Sequence, residues 1–229
     1  MADLKLNVRP LDTSATFKVQ AYAALKKALT DMDIYGHPGE IRLDERELCA
    51  ALHISRTPIR EAFNLLEQEG LVRSQPRQGV FVVKKTKQEI LESITVWGAL
   101  ESMAARLATE RASDEEITSL RRIFREFDDG KPAEHLDEYS DANIAFHQTI
   151  IRMGRCQLII DITENLFFHV RAIRKMTIGQ DNRAERSIAD HFRIIAALEQ
   201  RDSNLAERLV REHTLGLAAH VDRYCDFLD

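Results

Sequence analysis

Three observations predict a mainly α-helical protein built in two parts. Glycine and proline are scarce, with 9 and 5 in 229 residues, so few positions interrupt a helix. Apolar residues recur at spacings of three to five through most of the chain, the period of a helix with one buried face. Only residues 71–83 turn to β-prone runs, Leu71–Ser74 and Val80–Val83, about the turn Gln75-Pro76-Arg77-Gln78-Gly79. A short hairpin therefore separates a few helices before it from many after it. The length suits two domains, and 44% hydrophobic with 30% charged residues is a globular composition.

Residues 16–33 set Phe17, Tyr22, Leu25, Leu29 and Met32 on one helical face, and the cluster Tyr35-Gly36-His37-Pro38-Gly39 ends it. A second helix is predicted over 44–52, with Asp44 as N-cap and Leu48 and Leu52 on one face. The third starts near Ser55, a good N-cap, and runs to about Glu69. Pro58 lies in its first turn, where a missing N–H costs nothing, and Gly70 suits its exit. After the hairpin, residues 84–87 form a basic joint, which divides the chain into 1–86 and 87–229. From there the pattern predicts about six helices, over 87–111, 114–128, 133–152, 156–177, 183–200 and 202–227. Ser113 with Glu116 forms a capping box, while Lys131-Pro132, Gly154 and Gly179 mark breaks. Short connections between long amphipathic helices imply an antiparallel bundle.

Composition excludes several classes. No apolar run approaches the roughly 20 residues of a membrane span. The first ten residues carry Lys5 and Arg9 but no apolar segment with a cleavage site, unlike a signal peptide. Cys49, Cys156 and Cys225 are odd in number and far apart, which fits a reducing cytoplasm better than a disulfide framework. The net charge of −5 hides an asymmetry: residues 1–88 hold 14 Lys and Arg against 11 Asp and Glu, leaving the acidic excess to the rest. A basic front on an acidic body suits a head that meets phosphates.

The second and third helices, with the hairpin, have the make-up of a winged helix-turn-helix. Ser55, Arg56, Thr57 and Arg60 occupy the first two turns of the third helix, where a recognition helix enters the major groove. Arg56 and Arg60, four apart, share a face. An arginine fork can pair with guanine, and hydroxyls suit phosphate oxygens. Arg77, Gln78 and Gly79 fall at the wing tip, where glycine allows close approach of the backbone. The wording of residues 38–82, PGEIRLDERELCAALHISRTPIREAFNLLEQEGLVRSQPRQGVFV, strongly resembles the winged helix of the GntR family. That family has a PG turn, an E-x-E-L-A helix, an S-R-T-P-(V/I)-R-E-A recognition helix, an L-x-x-E-G-L exit and an R-x-G-x-x-V wing. The resemblance implies DNA contacts from Arg46, Arg56, Arg60 and Gly79, in a dimer reading a palindromic operator on double-stranded DNA. Cys49 stands where the family usually has alanine, and a small buried side chain serves either way.

Among eight histidines, three have suggestive settings. Asn143 and His147 lie one helical turn apart, His191 sits in Ala189-Asp190-His191-Phe192, and His213 lies midway along the last helix. Three imidazoles with one oxygen suit a divalent transition metal, although spacing alone does not bring these helices together. Residues 90–225 resemble the FCD ligand-sensing domain of the FadR-like branch, through Leu100-Glu101-Ser102-Met103-Ala104-Ala105-Arg106-Leu107-Ala108, the Phe146-His147 pair, and the settings of His191 and His213. The resemblance implies a metal site of Asn143, His147, His191 and His213, with zinc or nickel as the ion. Aspartate is commoner where Asn143 stands, and an amide ligates without supplying charge. The resemblance also implies a small carboxylate effector, with Arg106, Arg171 and Arg174 as candidate partners. Trp97 occupies the position where many relatives carry an effector-binding arginine. The competing reading is a metal-dependent enzyme using the same histidines. Against it, the sequence has no HExxH, no phosphate loop and no nucleophile elbow, and it offers no carboxylate beside the histidines at a general-base spacing.

Overall fold

The computed structural model describes residues 15–127 and 132–228, so the expectations about residues 1–10, residue 128 and Lys131 lie outside the described residues. The chain forms two compact units that divide after Lys84.

The first unit contains α1 (Ala15–Asp31), β1 (Arg42–Leu43), α2 (Glu45–Leu52), α3 (Arg56–Gln68), β2 (Val72–Gln75) and β3 (Gly79–Val82). Ala21, Leu25 and Leu29 of α1 are buried, as are Ile59, Ala62, Phe63 and Leu66 of α3, and the two helices pack together. Each of the Leu, Ile and Phe side chains among them contributes about 1.5–3 kcal/mol by leaving water. At the rim, Lys26 Nζ donates to Glu69 Oε2 at 2.7 Å and to the Tyr22 hydroxyl at 3.0 Å. Asp44 caps α2 by accepting from the backbone N–H of Arg46 and Glu47. The hairpin is part of a three-stranded antiparallel sheet of order β1-β3-β2, with Arg42 opposite Phe81 and Ser74 opposite Val80. Strand β1 escapes sequence patterning because two residues are too few to show a period of two.

The second unit has six α-helices among its described residues: α4 (Lys87–Arg111), α5 (Asp114–Ile123), α6 (Leu136–Met153), α7 (Gln157–Thr177), α8 (Arg183–Glu199) and α9 (Ser203–Tyr224). Short 3-10 turns cover Arg125–Phe127, Pro132–His135 and Asp226–Leu228, where the sequence predicts continued α-helix. Capping boxes start α4 (Thr86 with Glu89) and α5 (Ser113 with Glu116), and Asp202 caps α9 through the Leu205 N–H. Helix α4 lies along α9 and also touches α6 and α7. The apolar core includes Leu120, Phe124, Phe146, Ile150, Ile194 and Leu198. No helix among the described residues is long and apolar enough to cross a membrane.

Gly154, at the end of α6, sets how closely that helix approaches α4. A Cβ there would lie 2.9 Å from the Ala104 carbonyl oxygen and 3.0 Å from the Ala104 Cα, both backbone atoms that cannot swing aside. Gly216, within α9, has nothing within 4 Å of such a Cβ. Gly154→Ala is therefore expected to destabilise by about 1–3 kcal/mol, whereas Gly216→Ala should stabilise by up to about 1 kcal/mol. Thermal unfolding of both variants checks this, and a Gly154→Ala midpoint equal to wild type would contradict the tight crossing.

Candidate functional site

The turn between α2 and α3 is made by His53, left-handed at φ +53°, and by extended Ser55. Ser55 fills the N-cap position of α3, but its hydroxyl makes no capping hydrogen bond. Ser55, Arg56, Thr57 and Arg60 are all exposed, as is Arg46 on α2. Glu45 gathers two arginines from the start of α3: Arg60 Nε donates to its Oε2 at 2.9 Å, and Arg56 Nε lies 3.6 Å from its Oε1. Exposed pairs of this kind are worth about 0–1 kcal/mol, so they orient the guanidiniums without locking them away. Arg42, Asp44 and Arg46 line the same cleft of about 340 Å³. At the wing, Arg77 adopts φ +65° and Gly79 φ +122°, with Arg77 and Gln78 exposed. Glycine at 79 is required by its φ of +122°, and the Arg42 guanidinium lies close over it, 2.9 Å from where a Cβ would be. Sequence reasoning missed Arg42 and Glu45. The first sits on an unforeseen strand, and the second contributes through arginines 11 and 15 residues further on.

In the second unit, α6, α8 and α9 bring His147, His191 and His213 together. All three are buried, with a ligating atom of each within 4.8 Å of the others. The rings share one arrangement. Nδ1 faces outward to a partner: His147 to Glu101, His191 to the Tyr139 hydroxyl at 3.3 Å, and His213 to Asp190 Oδ2 at 3.4 Å. The Nε2 atoms of His191 and His213 meet no hydrogen-bonding partner among the described residues. The Nε2 of His147 faces Asn143 Oδ1 at 3.1 Å and accepts from Arg174 Nη1 at 2.6 Å. An unpaired buried nitrogen costs about 1–3 kcal/mol. A ring with an acceptor behind Nδ1 and a bare Nε2 in front is oriented as metal-ligating histidines are. The cluster could therefore hold a metal ion, and its nitrogen-rich donor set with one amide oxygen fits a borderline divalent ion.

Glu101 ties this centre to the bundle. Its Oε1 accepts from His147 Nδ1, and its Oε2 accepts from Trp97 Nε1 at 2.7 Å and from the Thr214 hydroxyl at 2.9 Å. Burial raises the Glu101 carboxyl above the usual range, and Arg174 opposes that rise. Burial likewise holds His147 and His191 well below their ordinary range and lowers His213, with Asp190 opposing in the last case. All three rings are thus neutral at pH 7 and can donate lone pairs. Arg183, buried at the start of α8, is pulled down to about 9 by burial and by Arg174. A cleft of about 130 Å³ between α8 and α9 reaches His213 past Arg183, Ser187, Asp190 and His220.

Two family matches cover most of the chain: "Bacterial regulatory proteins, gntR family" over residues 18–82, and "FCD domain" over residues 92–216. The chain belongs to the GntR family. It is a DNA-binding transcriptional regulator of the FadR-like subfamily, with a C-terminal FCD domain, rather than an enzyme. It is 28% identical over 179 residues to the HTH-type transcriptional repressor RspR of Escherichia coli, covering 78% of each chain. It is also 27% identical over 219 residues to the HTH-type transcriptional regulator YdhC of Bacillus subtilis, covering 95% of this chain and 93% of that one. In fold it is similar to the solved structure of E. coli McbR/YncC, with a TM-score of 0.75 at 21% identity over 92% of this chain and 99% of that one.

Within this GntR regulator, the residues expected to form the metal site, Asn143, His147, His191 and His213, meet at one place. Of the three arginines expected to meet an anion, Arg174 touches the cluster. Arg106 is instead bonded to Asn204 at 2.7 Å and Glu207 at 3.1 Å, and Arg171 lies 3.9 Å from Asp141. The sequence offers no carboxylate beside the histidines at a general-base spacing, and the structure adds carboxylates of another kind. Glu101 and Asp190 back two of the rings, and Glu101 arrives from a helix 46 residues away, beyond the reach of local spacing. The available signal was a charge inside an apolar stripe, since Ile90, Ile94, Trp97, Glu101, Ala104, Ala105 and Ala108 share the buried face of α4.

The depressed histidines make stability depend on pH. Below about 6.5 the unfolded chain takes protons that the folded rings refuse, so stability falls as pH drops, by up to about 1.4 kcal/mol per pH unit for each ring. His169, pushed down to about 3 by burial, adds to the same slope. The raised carboxyl of Glu101 works in the opposite sense, as one group against several. Urea unfolding of chelator-treated protein is expected to give a plateau above pH 7 and a loss of several kcal/mol by about pH 5.5. His191→Gln should flatten that slope by about one proton. A flat profile across this interval would contradict neutral, buried rings.

Proposed function

We propose that the protein is a repressor that binds a palindromic operator as a two-fold dimer, and that a small carboxylate held at a metal ion in the histidine cluster adjusts its hold on DNA. The observation that carries the effector half of this reading is the common orientation of the three rings, Nδ1 bonded outward and Nε2 turned inward beside Asn143, bare in His191 and His213 and met by Arg174 in His147. Zinc or nickel suits that donor set, and such an ion would give an effector's carboxylate oxygen a charged anchor. Arg174 and Arg183 supply further buried positive charge, which favours an anion over a neutral ligand.

Arg46, Arg56 and Arg60, with Ser55 and Thr57, form the base- and phosphate-reading face, and Arg77, Gln78 and Gly79 form the wing. The name of the E. coli relative, a repressor, supports repression. A dimer is supported by Val96 and Met103, seven residues apart on one face of α4 and 47% and 42% exposed, an apolar stripe that a second copy would cover. The site of action is the cytoplasm. Effector binding then changes operator affinity through the relation between two heads, a coupling of about 1–3 kcal/mol.

In a gel shift with the DNA upstream of its own gene, Arg60→Ala or Arg56→Ala should each weaken specific binding by about 1–3 kcal/mol. Retained specificity in both would contradict the assigned reading face. Adding nickel or zinc chloride to chelator-treated protein should raise its melting temperature, by about 2.7 kcal/mol of stability at one hundred times the dissociation constant. His191→Ala should abolish that rise. An equal rise in His191→Ala, or none in wild type, would contradict the metal reading.

A further inference from the structure

Arg174 reaches the histidine cluster from α7 with its side chain fully buried. Its three nitrogens have unequal fates. Nη1 donates to His147 Nε2 at 2.6 Å, while Nε and Nη2 meet no acceptor among the described residues. The unpaired two are the nitrogens whose N–H bonds run parallel along one edge of the guanidinium, the edge that grips a carboxylate with two bonds. The engaged one occupies the lone pair that His147 would lend to an ion, because the other ring nitrogen is committed to Glu101. The guanidinium therefore stands where a cation is wanted, and it leaves bare the edge where an anion is wanted.

The local charges sharpen this. Arg174 and Arg183 are both buried, and the fully buried carboxylate of Glu101 acts on Arg174. An ion arriving alone meets a guanidinium already on one of its ligands and adds to a surplus of positive charge. An anion arriving with it gives the Nε–Nη2 edge its missing acceptor and relieves the surplus. We propose that Arg174 is a built-in competitor for the metal that becomes the anchor of the effector's carboxylate, so that ion and anion are taken up together. This deepens the reading of the cluster as a metal site and rests on it.

Trp97 makes the proposal measurable. It is the single tryptophan of the chain, and its Nε1 donates to the carboxylate that also holds His147. Nickel chloride is titrated into chelator-treated full-length protein, with Trp97 emission and heat as parallel readouts, in sodium acetate or in sodium chloride of equal ionic strength. In wild type, acetate should tighten nickel binding by about tenfold or more. Arg174→Leu should bind nickel about tenfold tighter than wild type in chloride, with less than about a twofold effect of acetate. Arg174→Lys keeps the charge without the parallel fork, so it should bind nickel as weakly as wild type in chloride and lose the acetate effect. Circular dichroism checks folding, and if Arg174→Leu does not fold, Arg174→Lys decides. The proposal is overturned if Arg174→Leu gains no nickel affinity, or if the acetate effect survives in Arg174→Lys. Nickel binding to none of the three proteins would overturn the metal reading itself, whereas equal binding to all three would overturn the role of Arg174 alone.

Discussion

The carboxylate of Glu101 has no access to solvent, and donors from three helices hold it there: Trp97 on α4, His147 on α6 and Thr214 on α9. Taking a carboxylate out of water costs several kcal/mol, which only good hydrogen bonds and a nearby cation offset. Those bonds fix more than the carboxylate. By accepting from His147 Nδ1, Glu101 sets which nitrogen of that ring turns inward, and by binding Trp97 and Thr214 it fixes the ring relative to α4 and α9. Tyr139 and Asp190 do the same for His191 and His213 with longer contacts. The polar centre is thus held from its outside, which leaves inward-facing nitrogens whose lone pairs call for an ion or a donor.

The two units use charge in opposite physical regimes. In the winged-helix unit, Arg56 and Arg60 remain 57% and 64% exposed, so water and salt screen them and their pairing with Glu45 is cheap to exchange. In the FCD unit, Arg174 and Glu101 are fully buried, screening is weak, and each charge depends on the others being present. A change of one charge in that interior is felt by several helices at once. This is the property expected of a sensing domain.

The winged helix was legible almost residue by residue, because its constraints are local: Asp44 capping α2, Pro58 in the first turn of α3, and glycine at positions 70 and 79, both at positive φ. The start of α5 was legible for the same reason, through the Ser113–Glu116 capping box that spans four residues. The histidine cluster was legible in its rings but not in its supports. Asn143 and His147 could be paired by their separation on α6, whereas Glu101, Tyr139 and Thr214 join the site only through the packing of α4, α6 and α9. Arg106 and Arg174 looked equivalent in sequence, as arginines on amphipathic helices. Burial separates them, since Arg174 lies inside the stripe formed by Phe167, Val170, Ile173 and Thr177, while Arg106 meets Asn204 and Glu207 near the surface.

The central claim, that the second unit presents three neutral imidazoles with Nε2 directed inward, is open to direct measurement by long-range ¹⁵N–¹H correlation spectra of the histidine rings in chelator-treated protein at pH 7. The expected result is the Nδ1–H tautomer for His147, His191 and His213, with the Nε2 signals shifting when nickel or zinc is added. Protons on Nε2 in these rings, or imidazolium signals at that pH, would contradict it.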